Sequence, residues 1–315
     1  MKNVEQPTPP TGLRTHARVL VTGASGFIGK HLCRRLVSEG CEVYGTFRTT
    51  PVDPPPGIKP VHLDVLNAPA ITEVISDLRP DMVYHLAAQV TGTRDRSAVL
   101  PTFQANLAST VALLDAVTQF GCRRVILPGS MDEPVDGLEV VPPSPYGATR
   151  WASSAYGRMF HQLYKTPAVI VRPMMVYGPG QKDVLKIVPY IILSVLRKES
   201  PKLSSCARPV DWVYIDDVVD AFVAAATAPN VEGRTIELGC AEVVTVRAVV
   251  EKIVEMMGSG IQPQFGAIPD RPMEKVRIAQ IDAAWELLRW RPRTTLEEGL
   301  RRTIDWYSDP AHRMS

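Results

Sequence analysis

The stretch that most constrains this chain is Val19-Leu20-Val21-Thr22-Gly23-Ala24-Ser25-Gly26-Phe27-Ile28-Gly29. Its apolar run predicts a strand buried on both faces, as in a parallel sheet. Ile28, Leu32 and Leu36 follow at helical spacing and predict a helix from about Gly26. Gly23 suits the tight turn, Gly26 would let a pyrophosphate approach the backbone, and Gly29 lets the helix pack close to the strand. The helix N-terminus offers free N–H groups and a partial positive charge to phosphate. Three glycines alone are a weak sign, but strand, turn and helix together point to a bound dinucleotide. Gly23, Ser25, Gly26, Phe27, Ile28 and Gly29 are its first candidate contacts.

A chain of 315 residues holds one large domain or two small ones. A hydrophobic share of 45% and a charged share of 22% describe an ordinary globular protein. The net charge of +2 argues against bulk nucleic-acid binding. No apolar run looks long enough to span a membrane; Val188 to Leu196 stops at Arg197-Lys198. The first residues, Met1 to Gln6, carry no apolar signal core. Five cysteines at irregular spacing form neither a disulfide framework nor a metal-ligand pattern. The expectation is a cytoplasmic protein with no metal, membrane or nucleic-acid partner.

Along the chain, residues 1–16 read as a flexible tail and Pro51 to Pro60 as a proline-rich loop. Glu42 to Thr46 reads as the second strand, followed by Phe47-Arg48-Thr49. An acid at that strand end would hold the ribose 2′-hydroxyl of NAD; here stands Arg48, which can pair with a 2′-phosphate. NADP is therefore expected, with NAD as the alternative and a solvated loop arginine as the competing reading. Further helices are expected at Ala68 to Leu78, Phe103 to Phe120, Tyr146 to Tyr164 and Val184 to Lys198. Phe103, Leu107, Leu114 and Val117 are expected on one side of the second of these.

Several motifs in order carry a resemblance. They are the G-x-x-G-x-x-G turn, His85-Leu86-Ala87-Ala88, Ser144-Pro145-Tyr146-Gly147 with Arg150, and Arg172-Pro173 with Tyr177-Gly178-Pro179. Asp211-Trp212 with Asp216-Asp217, then Pro269-Asp270-Arg271-Pro272, follow. Over roughly 17–307 the chain resembles the extended short-chain dehydrogenase/reductases, which include nucleotide-sugar epimerases, dehydratases and 4-ketoreductases. The resemblance implies a doubly wound, Rossmann-type α/β fold with a smaller, discontinuous C-terminal substrate part. The dinucleotide-binding domain would be 17–172, with 211–238 returning to it; 173–210 and 239–315 would bind substrate. It implies cofactor contacts at Asp64, Val65, Leu86, Ala87, Ala88, Asn106 and Pro173, and catalytic roles for Ser130, Tyr146 and Arg150. It implies substrate contacts at Ser130, Met131, Asp132, Met175, Arg208 and Arg271, and a homodimer built on the two longest helices. His85 is read as a packed strand-end histidine.

Tyr146 and Arg150 lie four apart and share a helix face. A nearby cation favours a phenolate, so Tyr146 can serve as acid–base, while Ser130 bonds the same substrate oxygen. Arg150 stands where the family has Lys, and the two are not interchangeable. Met175 and Val210 stand where the family has Asn and Arg. Asp132-Glu133 resembles the adjacent acids of the dehydratases. The main expectation is NADPH-dependent reduction of the 4-keto group of a nucleotide-activated sugar. Epimerisation, reduction of a less charged ketone, and cofactor binding with weak catalysis are the alternatives.

Overall fold

The apolar run beginning at Val19 forms β1 (Arg18–Thr22), the glycines turn the chain, and α1 (Phe27–Ser38) follows. In the computed structural model the described residues are 13, 15–49, 55–134, 140–273 and 276–313. The expected tail lies largely outside them, but its end is packed: Leu13 is buried and His16 N–H donates to Gly40 O at 2.9 Å.

β2 (Glu42–Phe47), β3 (Ile58–His62), α2 (Ala68–Leu78) and β4 (Met82–His85) come next. After Asp95 the chain winds through a 3-10 turn (Arg96–Ala98), α3 (Val99–Thr102), a π-helical segment (Phe103–Ala108) and α4 (Ser109–Phe120). β5 (Arg124–Pro128), α5 (Pro145–Tyr164), β6 (Ala168–Pro173) and β7 (Met175–Tyr177) follow. The rest is α6 (Ile187–Leu196), β8 (Pro209–Tyr214), α7 (Ile215–Thr227), β9 (Thr235–Leu238), β10 (Val243–Thr245) and α8 (Val246–Met256). α9 (Ile281–Leu288), α10 (Leu296–Ser308) and α11 (Pro310–Arg313) close the chain.

Seven strands form one sheet in the order β3-β2-β1-β4-β5-β6-β9, and every pair from β3 to β6 is parallel. Side chains alternate across it. Leu20, Val83, Val125 and Leu127 face a core shared with Ile71 and Ile75 of α2, Leu113, Leu114 and Val117 of α4, and Phe160 of α5. On the other face Tyr84 donates to Phe222 O of α7 at 3.5 Å, and Arg35 of α1 pairs with Asp220 of α7. This is the Rossmann-type α/β fold expected.

The chain divides into two compact units. The first contains the described residues up to 172 with 219–237 and 282–291; the second contains 173–218, 238–281 and those from 292 onward. Segment 211–218, expected with the first unit, packs in the second through β8, and 282–291 does the reverse. A small sheet in the order β10-β8-β7 belongs to the second unit.

Three expectations change. Pro60 lies in β3, opposite Gly45, rather than in a loop; β3 is an edge strand, where the missing N–H of proline is tolerated. The helical run Arg96–Phe120 is long and apolar enough by composition to cross a membrane, with a mean hydropathy of 1.2. Its apolar side chains Leu113, Leu114 and Val117 are instead buried in the core. Phe103 does not share their side and is 47% exposed. The π segment changes the helical phase between them, so a face drawn on a 3.6-residue period breaks there.

His85 ends β4 and is 1% exposed. Its Nδ1 is 2.9 Å from Thr22 Oγ1 and its Nε2 is 3.2 Å from Ser109 Oγ. Burial, then the charge of Arg150, lowers its pKa from 6.5 to about 3. The unfolded chain therefore takes up a proton that the folded chain refuses. Stability is complete above pH 6.5 and falls as pH drops toward 3. Between pH 7 and 5 this residue should remove about 2 kcal/mol, read from urea midpoints, and a His85→Asn variant should lack that part of the slope.

Candidate active site

Gly23 has φ +69°, and a Cβ there would lie 2.7 Å from Ala87 N. A Cβ on Gly29 would overlap Gly23 O, so only glycine lets α1 seat on the turn. Gly26 is the extended N-cap of α1 and offers no side-chain cap, while Ser25 and Gly26 are exposed. The first N–H groups of α1 thus open beside a turn without bulk, with half-buried Phe27 and Ile28 behind it. Thr22 fixes the neighbouring loop: its O accepts from Leu86 N at 3.2 Å and its Oγ1 from Ala87 N at 3.0 Å. Leu86, Ala87 and Ala88 are half-buried there.

Asn106 sits in the π segment, fully buried. Its Oδ1 accepts from Gln89 N at 2.8 Å, and its Nδ2 donates to Gln89 O and to Thr149 Oγ1, both at 3.2 Å. It thereby ties the loop after β4 to α5. Asp64 Oδ1 accepts from Leu66 N at 3.0 Å, and Asn67, not Asp64, caps α2 through Ala70 N. Val65 packs partly buried against the core. Arg48 follows β2, exposed, with no ion pair among the described residues.

Ser144 and Pro145 start α5: Ser144 Oγ accepts from Gly147 N at 3.1 Å, and proline fits the first turn. This places half-buried Tyr146 in the first turn. A Cβ on Gly147 would be 3.0 Å from Asp132 O, so the helix start lies against the loop that carries Ser130. Arg150 is 3% exposed and reaches the end of β5, where Nη1 donates to Pro128 O at 3.2 Å. Its guanidinium carbon is 5.4 Å from the centre of the Tyr146 ring. Its Nε has no hydrogen-bond partner. The loop that carries Ser130 and the first turns of α5 that carry Tyr146 and Arg150 therefore meet in the first unit. A cradle without Cβ atoms, an open helix N-terminus and a buried guanidinium with a spare donor are suited to a dinucleotide.

The loop corrects one expectation. Glu133 is not a free acid beside Asp132: its side chain is fully buried, Oε1 accepts from Ser130 N at 2.7 Å, and Oε2 pairs with Arg172 Nη2 at 2.5 Å. Nothing local marks a pair separated by 39 residues.

The remaining candidates lie in the second unit. Pro173 is buried at the end of β6. Met175 is half-buried in β7, in register with Trp212, and Val210 is fully buried in β8. Arg208 is half-buried, and Arg271 is exposed beside Asp270, whose carboxylate holds Ser205 N and Oγ at 3.0 and 2.8 Å. Two acids prove to be backbone anchors. Asp211 accepts from Cys240 N, Ala241 N and Ala279 N, and Asp217 from Arg293 N and Thr294 N.

Residues 19–239 match the NAD dependent epimerase/dehydratase family. UDP-glucose 4-epimerase of Mycolicibacterium smegmatis is 30% identical, over 92% of this chain and 98% of its own. A probable dTDP-glucose 4,6-dehydratase of Sinorhizobium fredii is also 30% identical, over 92% of each chain. The structure of UDP-glucuronic acid 4-epimerase from Bacillus cereus, in complex with UDP-glucuronic acid and NAD, is similar with a TM-score of 0.81. It is 26% identical and the match covers 92% of this chain and 98% of that one. Such agreement in sequence and fold over nearly the whole length leaves one assignment: the chain belongs to the NAD-dependent epimerase/dehydratase family of extended short-chain dehydrogenase/reductases, and its homologues are nucleotide-sugar enzymes.

Proposed function

We propose that the protein epimerises a nucleotide-activated sugar at C4 by transient oxidation. The observation that carries this reading is the buried Arg150 guanidinium set against the Tyr146 ring, on a helix whose start lies against the loop of Ser130. NAD(P), when bound, supplies a hydride acceptor and donor. Gly26 and the first turn of α1 would hold its pyrophosphate, and Arg150 would hold the nicotinamide ribose. Tyr146 takes the proton of the sugar hydroxyl as hydride leaves the carbon. Once the keto sugar has turned, Tyr146 would return the proton to the oxygen as the other face is reduced, so the net oxidation state is unchanged. Ser130 bonds the same oxygen and stabilises its developing charge. The epimerase relatives support this chemistry, and the ion-paired Glu133 weighs against dehydration.

Reduction of a 4-keto sugar with NADPH is the second reading, favoured by Arg48 in place of an acid after β2. The exposed Leu100, Phe103, Trp151 and Tyr156 support a homodimer through the helices that carry them.

Tyr146→Phe should lower turnover of UDP-glucose by at least about 100-fold while NAD binding persists, because only the transferable proton is lost. Arg150→Met should weaken NAD binding and turnover more than Arg150→Lys does; equal activity of Met and wild type would remove Arg150 from the mechanism. Arg48→Ala should weaken NADPH binding and leave NADH binding nearly unchanged. Equal losses in a titration would show that Arg48 does not read the 2′-phosphate.

A further inference from the structure

The four residues Ser130 to Glu133 form a closed hydrogen-bonded turn. Ser130 N–H donates to Glu133 Oε1 at 2.7 Å, and Glu133 N–H donates back to Ser130 O at 3.1 Å. Asp132 N–H donates to Ser130 Oγ at 3.1 Å. The backbone N–H and C=O of Ser130 are thus both engaged, and its hydroxyl oxygen already accepts a bond. The hydroxyl keeps its hydrogen and one lone pair. With one lone pair taken by Asp132 N–H, the oxygen is held in place and its O–H is available to donate.

The turn is anchored from below by charge. Arg172 on β6 binds Glu133 Oε2 at 2.5 Å and Glu237 on β9 at 3.3 Å, with the Glu133 side chain 0% exposed. Gly129 makes room for the anchor: a Cβ there would lie 2.6 Å from Glu133 Oε1. Two strands of the sheet therefore fix a carboxylate directly under the Ser130 amide. Charge-assisted bonds in a buried site hold geometry more tightly than neutral ones.

We propose that Glu133, locked by Arg172, is a positioning residue that fixes Ser130 as a hydrogen-bond donor to the reacting oxygen of the substrate. This rests on the redox reading of the site given above. Glu133 takes no proton in the reaction; it acts only through Ser130.

Glu133→Gln tests this with little risk to folding, since shape is kept and Arg172 retains Glu237 as a counter-charge. With NAD and UDP-glucose as probes, the variant should lose roughly tenfold in kcat with KM nearly unchanged, the size expected when a charged hydrogen bond becomes neutral. In a Ser130→Ala background the same substitution should cost nothing more, because its only route is gone. Equal losses in both backgrounds, or full kcat in the single variant, would overturn the proposal. Amide hydrogen exchange at Ser130 gives an activity-independent arm. Exchange should be slow in the wild type and clearly faster in Glu133→Gln; unchanged exchange would overturn the proposed anchor. If the wild type fails to turn over the probe, the substrate reading falls, and the exchange result still decides whether the anchor exists.

Discussion

A guanidinium buried to 3% exposure, bonded to one backbone carbonyl, is the constraint around which the first unit is arranged. Removing an ion from water costs several kcal/mol even after relaxation. The contact with Tyr146 offsets about 0.5–2 kcal/mol of that, and the bond to Pro128 O contributes a similar amount. Arg150 also helps keep His85 neutral, which suits the bonds of His85 to Thr22 and Ser109. In the proposed mechanism the nicotinamide ribose would use the charge and the spare Nε–H.

The frame that holds this cation is rigid for identifiable reasons. Thr22 joins the glycine turn to the exit of β4, Asn106 joins that exit to α5, and Glu133 with Arg172 anchors the loop after β5. Each link is a buried side chain bonded to backbone, to a neighbouring hydroxyl or to opposite charge, the arrangement that preserves geometry when a ligand arrives. The second unit uses the same device in Asp211, which gathers three backbone N–H groups.

What the sequence disclosed follows from range. The turn at Gly23 to Gly29 is local: strand, glycines and helix lie between Arg18 and Ser38, so periodicity and backbone freedom suffice to read it. The first turn of α5 is equally legible through Ser144, Pro145 and Tyr146. Pro60 misled because a proline suggests a loop unless the strand is known to be an edge. The π segment at Phe103–Ala108 was invisible because helical reading assumes a constant period. The ion pair of Glu133 is not legible in the sequence because its partner Arg172 comes from another element, and pairing at that range leaves no mark in local spacing. Asp211 and Asp217 carried a family resemblance, but their anchoring role appears only in the folded backbone.

The most direct measurement is a crystal structure with NAD bound. The predicted result is pyrophosphate against the backbone N–H groups at the start of α1, with Arg150 turned to hydrogen-bond the nicotinamide ribose through nitrogen that is now unpartnered. Cofactor bound with Arg150 still engaging only Pro128 O, or phosphate seated away from Gly26, would contradict the central role given to this buried cation.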